Sequence, residues 1–180
     1  GIMDAAVACF VEARRTQNEE SRAYTEKQKA KVRRAVAQLE GEADALAEEH
    51  GVGVIIAPNF AMGAVLMIHL ARQAARFFDY ADLTEIHHEA KIDAPSGTAL
   101  AIARAAAEGK GGAFTAPRAE KELLPNTRGG ELEGVSVHSA RMPGRMAHHE
   151  LVFGTLGQTL TIRHDSINRE SFMPGVTMAI

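Results

Sequence analysis

Apolar residues recur with a helical period over two long stretches of this chain and with strand-like runs between and after them. From Glu26 to Glu49 nearly every residue is Ala, Lys, Glu, Arg or Leu, all good helix formers. Val32, Val36, Leu39, Ala43 and Leu46 fall there at spacings of three and four, which puts them on one stripe of a helix. Thr25 followed by Gln28 forms a capping box at its start, and His50-Gly51 closes it with Gly51 as the C-cap. Gly41 is expected to bend or end this helix. Before it, 3–13 reads as a short helix and 14–22 as a polar linker or solvated helix. Val52–Ala57 is a short β-branched run that reads as a buried strand ended by Pro58. Met62–Phe78 returns to helical spacing, with Val65, Leu66, Ile68, Leu70, Ala74 and Phe77 as expected core contacts.

A strand over Asp82–His88, a loop over Glu89–Ser96 and an Ala-rich helix over Gly97–Glu108 follow. Gly109–Gly130 is rich in Gly, Pro and charge and reads as a long excursion. Three strands come next, Gly134–Arg141, His149–Phe153 and Gln158–His164, with Phe153–Gln158 as a hairpin turn. Asn168–Ile180 reads as a final helix that Pro174-Gly175 weakens. This order predicts an α+β fold: a mixed or antiparallel sheet with helices on one face.

Composition narrows the classes. Hydrophobic residues make up 46% of the 180, enough for a core. A formal charge of -3 with dispersed Lys and Arg excludes the one-sided basic surface of a nucleic-acid binder. Cys9 is the single cysteine, so an intramolecular disulfide is excluded, in keeping with a reducing, cytoplasmic setting. No apolar run approaches the ~20 residues that span a bilayer. The abrupt Gly-Ile start and the end in mid-pattern read as truncations.

The chemistry concentrates after the Asp82–His88 strand. His87, His88 and Lys91 lie within five residues, and Asp93-Ala-Pro-Ser-Gly-Thr98 runs directly into a helix. Ser96, Gly97 and Thr98 would offer hydroxyls and free N–H groups at a helix N-terminus, which attracts anions. Lys91 adds a full charge, and a histidine exchanges protons near neutral pH. Such a loop can hold a carboxylate and deliver a proton beside it. Each piece has a plainer reading: a polar strand end for His87-His88, and a simple N-cap for Ser96. Metal binding, with His148-His149 as a second pair, lacks a recognisable ligand spacing.

Taken whole, His87-His88-Glu89-Ala90-Lys91-Ile92-Asp93-Ala94-Pro95-Ser96-Gly97-Thr98-Ala99 resembles the HHxxKxDAPSGTA signature of the dihydrodipicolinate reductases. Ala57-Pro-Asn-Phe60 with Gly63-Ala64, Arg128-Gly-Gly130, Val137-His-Ser139, Arg141, Pro143-Gly144, His149-Glu150, Phe153-Gly154 and Arg163-His-Asp-Ser166 resemble the same family in order and spacing. So do Arg169, Phe172 and Gly175, and the likeness covers roughly residues 50–180. It implies an enzyme of lysine biosynthesis, by way of diaminopimelate, that reduces 4-hydroxy-tetrahydrodipicolinate to tetrahydrodipicolinate with NADPH or NADH. By the same resemblance His87 is the general acid/base and Lys91 the proton donor. His88, Ser96, Gly97 and Thr98 contact a cyclic dicarboxylate. Ala57, Pro58, Asn59 and Phe60, with Arg169 and Phe172, lie at the nicotinamide. The family also implies a homotetramer built through the sheet of this domain.

The sequence departs from the family at its front. The Gly-rich turn that cradles a pyrophosphate is absent, and Gly51-Val-Gly53 precedes an apolar run where the fingerprint should follow a strand. The family's Gly-Thr-Thr-Gly segment is also missing where it is expected, near Asn18–Ala23. Residues 1–57 are therefore read as a mostly helical remnant of a Rossmann-type dinucleotide-binding domain, and 58–180 as the substrate-binding and oligomerisation domain. The alternative to a working reductase is a substrate-binding and assembly module without cofactor binding.

Overall fold

The computed structural model describes residues 34, 37–57, 59–117 and 119–179. The short helix read over 3–13, the polar stretch 14–22, the capping box at Thr25 and Gln28 and the stripe positions Val32 and Val36 lie outside them. Pro58 and Ile180 do so as well. The chain divides into two compact units, with the boundary between Ile56 and Ala57.

In the first unit, residues 37–50 form helix α1, which runs through Gly41 without a break. It closes as the sequence predicts. Gly51 takes the left-handed conformation (φ 62°), and Val52 N–H donates to Ala47 O at 3.0 Å, a Schellman-type ending. Leu39 and Leu46, which the spacing puts on one apolar stripe, are exposed. Val52–Ala57 is not a strand but an irregular segment, with Val52, Val54, Ile55 and Ile56 exposed. A β-branched run becomes a strand only when a neighbour satisfies its backbone, and no ladder among the described residues includes this one.

The second unit is the predicted α+β fold. Helices α2 (Met62–Ala75), α3 (Gly97–Lys110) and α4 (Met173–Ala179) join strands β1 (Tyr80–His87), β2 (Gly130–Leu132), β3 (Val135–Arg141), β4 (Ala147–Thr155) and β5 (Gln158–Ser166). The sheet order is β2-β3-β1-β4-β5, with β1 parallel to β3 and the other pairs antiparallel. Strand period does the sorting. Leu83 stands beside Val137 on one side and Leu151 on the other, and Ile162 follows in the same row. That row faces α2 and α3 and forms the core with Met67, Ile102, Phe114 and Phe153. The opposite sheet face carries Asp82, Thr84, Ile86, Glu150 and Arg163, alternating along the strands with the core row.

Helix α2 shows the opposite face to the one its largest side chains suggest. Ala64, Met67, Ala71 and Ala75 are buried, whereas Val65, Leu66, Leu70 and Phe77 are exposed; of the expected contacts only Ile68 and Ala74 touch the core. The reason is close helix packing. A methyl group on Gly109 of α3 would overlap the carbonyl oxygen of Arg72 in α2, so the two backbones approach too closely for Leu or Phe between them. Small residues fill that contact and the large ones turn outward.

The final predicted helix is two pieces, a 3-10 turn over Arg169–Phe172 and then α4, with Pro174 tolerated in a first turn. Gly175 is buried against Phe60, whose carbonyl oxygen a side chain at 175 would strike. This contact brings the C-terminal elements to the segment that leads into α2.

Candidate active site

The C-terminal end of β1 and the N-terminus of α3 meet in an open cleft of about 300 Å³. Its walls bring together nine residues singled out in the sequence: Asn59, His87, His88, Lys91, Ser96, Gly97, Thr98, Arg169 and Phe172. Met146 and Ala147 complete the lining. Of the remaining expected positions, Ala57 is exposed, Phe60 is half-buried, and neither lines the cleft; Pro58 lies outside the described residues.

Ser96 starts α3 as its N-cap, accepting from Ala99 N–H at 3.1 Å. Helix geometry leaves the N–H groups of Gly97 and Thr98 without intrahelical acceptors, so they remain for a ligand. The Ser96 hydroxyl is less free than the sequence suggests, because it is also 3.1 Å from His149 Nε2. Thr98 Oγ1 accepts from Asn59 Nδ2 at 3.1 Å and keeps its own proton to donate. Asn59 in turn accepts from Ala61 N–H at 2.8 Å, which fixes its amide at the entry to α2.

Lys91 stands on the β1–α3 loop with Nζ 2.7 Å from Asp93 Oδ1. Arg141, at the end of β3, holds that loop by donating to Asp93 O at 2.7 Å. The same guanidinium nitrogen is 2.8 Å from Glu85 Oε1, and Glu85 Oε2 is hydrogen-bonded to His87 Nδ1. Glu85 is completely buried. Burial pushes its carboxyl up, but hydrogen bonds from Arg141, Ser139 and His87 outweigh that and hold it below the usual carboxylate range. Burial pulls the His87 imidazole down, Glu85 pulls it back up, and Lys91 and Arg141 add to the lowering, for a net decrease. His149, packed edge-on to His87 with ring centroids 5.3 Å apart, is pushed down to about 4 by burial and then by His87, so it is neutral at physiological pH.

Glu85, His87 and His149 came out of the structure, not the sequence, as a buried cluster: their ligating atoms lie within 4.8 Å of one another, close enough geometrically for a metal ion. The Arg141 guanidinium already neutralises Glu85, and a divalent cation would have to share that carboxylate with it. The donor set fits proton handling better. A charged residue at an inward-facing strand position was the one signal that could have exposed Glu85 beforehand; Arg141 and His149 reach it only through the sheet.

Chemically, the cleft offers two free N–H groups at a helix N-terminus, a hydroxyl donor, two cationic side chains in Lys91 and Arg169, and an imidazole at its floor. This suits an anionic ligand that is to receive a proton.

Residues 63–180 match the family described as Dihydrodipicolinate reductase, C-terminus. A 4-hydroxy-tetrahydrodipicolinate reductase of Dehalococcoides mccartyi is 51% identical over 139 residues, 77% of this chain and 52% of the relative. One of Geobacillus kaustophilus is 53% identical over 135 residues, 75% of this chain and 51% of the relative. The chain thus spans about half the length of these curated relatives. Among solved structures, a dipicolinate-bound dihydrodipicolinate reductase from Paenisporosarcina sp. TG-14 superposes with a TM-score of 0.66 at 46% identity, covering 79% of this chain and 53% of that chain.

Proposed function

The chain belongs to the dihydrodipicolinate reductase family, and on that premise we propose that it is the substrate-binding part of an NAD(P)H-dependent reductase converting 4-hydroxy-tetrahydrodipicolinate to tetrahydrodipicolinate, on the cytoplasmic route to diaminopimelate and lysine. The observation that carries this reading is the convergence of His87, His88, Lys91, Gly97, Thr98 and Arg169 on one cleft. The substrate is a cyclic dicarboxylate. One carboxylate sits on the N–H groups of Gly97 and Thr98 with the Thr98 hydroxyl, and Lys91 and His88 draw the ring into place.

A nicotinamide cofactor, when bound, supplies the hydride. The described residues of this chain handle the rest. Loss of the 4-hydroxyl as water, with a proton from the adjacent ring carbon, makes the ring conjugated; hydride addition would then leave negative charge at the far end of that system, and Lys91 or His87 delivers the proton that meets it. In total a hydride and a proton are added and the 4-hydroxyl leaves as water. Asn59, Arg169 and Phe172 line the cleft where the nicotinamide end would lie. The pyrophosphate end has no counterpart among the described residues: Gly51-Val-Gly53 closes a helix and precedes an irregular segment, not a strand-to-helix turn. The first unit is read accordingly as a remnant of a dinucleotide-binding domain, and the isolated polypeptide as a module that binds substrate without turnover. An absorbance assay of NAD(P)H oxidation by the full-length protein tests the activity. Oxidation that does not depend on the cyclic dicarboxylate would remove this reading.

The module also assembles, in our proposal, as a homotetramer. Its five-stranded sheet ends in β2 and β5, each paired on one side only among the described residues. Strand edges left open in this way are protected by pairing or covering, and further copies of the same chain meet that need. Light scattering at micromolar concentration is expected to give the tetramer mass, and a sharp monomer would count against it.

A further inference from the structure

The cluster beneath the cleft carries an assignment beyond the cleft residues themselves. We propose that Glu85 is a positioning residue: its buried carboxylate holds His87 by Nδ1 so that Nε2 is presented to the cleft, and through Arg141 it ties that imidazole to the loop bearing Lys91. The proposal rests on the reading of His87 as a proton-transfer group.

An ionised carboxylate only accepts, so the nitrogen facing Glu85 Oε2 must carry the proton. That sets one tautomer for neutral His87, with the proton on Nδ1 and the lone pair on Nε2. A side chain buried on β1 two residues before His87 lies on the same sheet face, which is what strand period demands of a partner from below. The other oxygen of Glu85 takes Arg141 Nη2 at 2.8 Å, and that nitrogen also donates to Asp93 O at 2.7 Å. Arg141 Nη1 is fixed in turn on Ala140 O at 2.7 Å. Lys91 is joined to the same loop through Asp93 Oδ1. One carboxylate therefore sets both the ring orientation of His87 and the height of the Lys91 loop above it. A merely structural ion pair would need Arg141 alone; the second oxygen is spent on the histidine.

Around His87 stand Glu85 from β1, Lys91 from the loop, Arg141 from β3 and His149 from β4, and His88, Ser96 and Arg169 line the same cleft. Glu85 is the one anion in that set. Removing its charge must lower the His87 titration point, because the imidazolium loses its counter-charge while the cations remain.

The test is imidazole nitrogen NMR on this chain, without cofactor. Wild-type His87 is expected as the Nδ1–H tautomer; a dominant Nε2–H form would overturn the proposal. In Glu85→Gln the titration midpoint of His87 is expected to fall by about one pH unit or more, and Glu85→Asp, which keeps the charge, should restore most of it. An unmoved midpoint in a folded Glu85→Gln chain would overturn the proposal. If that variant does not fold because Arg141 is stranded, the pair Glu85→Gln with Arg141→Gln leaves no buried charge unpaired and is read in the same way. In the full-length reductase, Glu85→Gln should lower kcat more than it raises KM and move the His87-dependent limb of the pH profile to lower pH. Because the NMR arm needs no turnover, an inactive full-length protein with a Glu85-controlled His87 removes only the reductase reading. An active enzyme whose His87 ignores Glu85 removes only this one.

Discussion

In the full-length reductase, Lys91→Ala is expected to lower kcat/KM by about 10²- to 10⁴-fold, the usual contribution of a positioned acid or base. Lys91 lines the cleft with its side chain only partly exposed, and its ammonium is 2.7 Å from Asp93. Alanine removes the charge that helps hold a carboxylate and the proton that meets the developing carbanion. The loop itself should survive, since Arg141 grips it at Asp93 O independently of the lysine. Loss of function would therefore reflect chemistry and not unfolding. Lys91→Arg separates the two parts of the effect. It keeps a cation but one that does not give up its proton at working pH, so KM should stay near wild type while kcat falls. Steady-state kinetics on both variants decide the matter, and an unchanged kcat/KM for Lys91→Ala would end the assignment of Lys91.

How much of this could be read from the chain alone depended on how local the determinant was. The run from Ser96 into α3 was legible because an N-cap serine, a glycine and an Ala-rich stretch act within one turn of each other. β1 was legible as a strand whose alternation the burial pattern bears out, and the β4–β5 hairpin through Gly157, whose φ of 76° the turn requires. The orientation of α2 was not. Hydrophobic size pointed Val65, Leu66, Leu70 and Phe77 inward, but the close approach of α3 at Gly109 selects alanine on that face, and this is a property of two helices and not of one. Val52–Ala57 has strand composition without a strand partner among the described residues. The floor of the cleft was hidden for a related reason: Arg141 is 56 positions from Glu85, and His149 is 53 from Ser96, so only the sheet and the α3 cap bring them together.

The same separation of local from assembled determinants governs ligand binding by the isolated chain. It is expected to bind pyridine-2,6-dicarboxylate while binding NADPH or NADH too weakly to support turnover. Every group assigned to the dicarboxylate lies within the second unit, on β1, its following loop and the start of α3. Those groups are held by local bonds: the Ser96 cap, the Asn59–Thr98 contact and the Arg141–Asp93 grip. The nicotinamide end would find Asn59, Arg169 and Phe172, but nicotinamide contacts alone bring little affinity. A dinucleotide is held chiefly by backbone N–H groups that glycines allow to approach its pyrophosphate, and the sequence contains no such turn. Each lost charge-assisted hydrogen bond is worth roughly 1.5–3 kcal/mol, so two of them weaken binding by about a hundredfold or more. Calorimetric titration of the chain with each ligand separately reads the difference directly. Heat from the dicarboxylate that Lys91→Ala diminishes, with none from NADPH at micromolar concentration, is the expected pair of results. Micromolar NADPH binding would show that residues 1–57 make a working cofactor site by other means, and would restore the polypeptide as a complete enzyme.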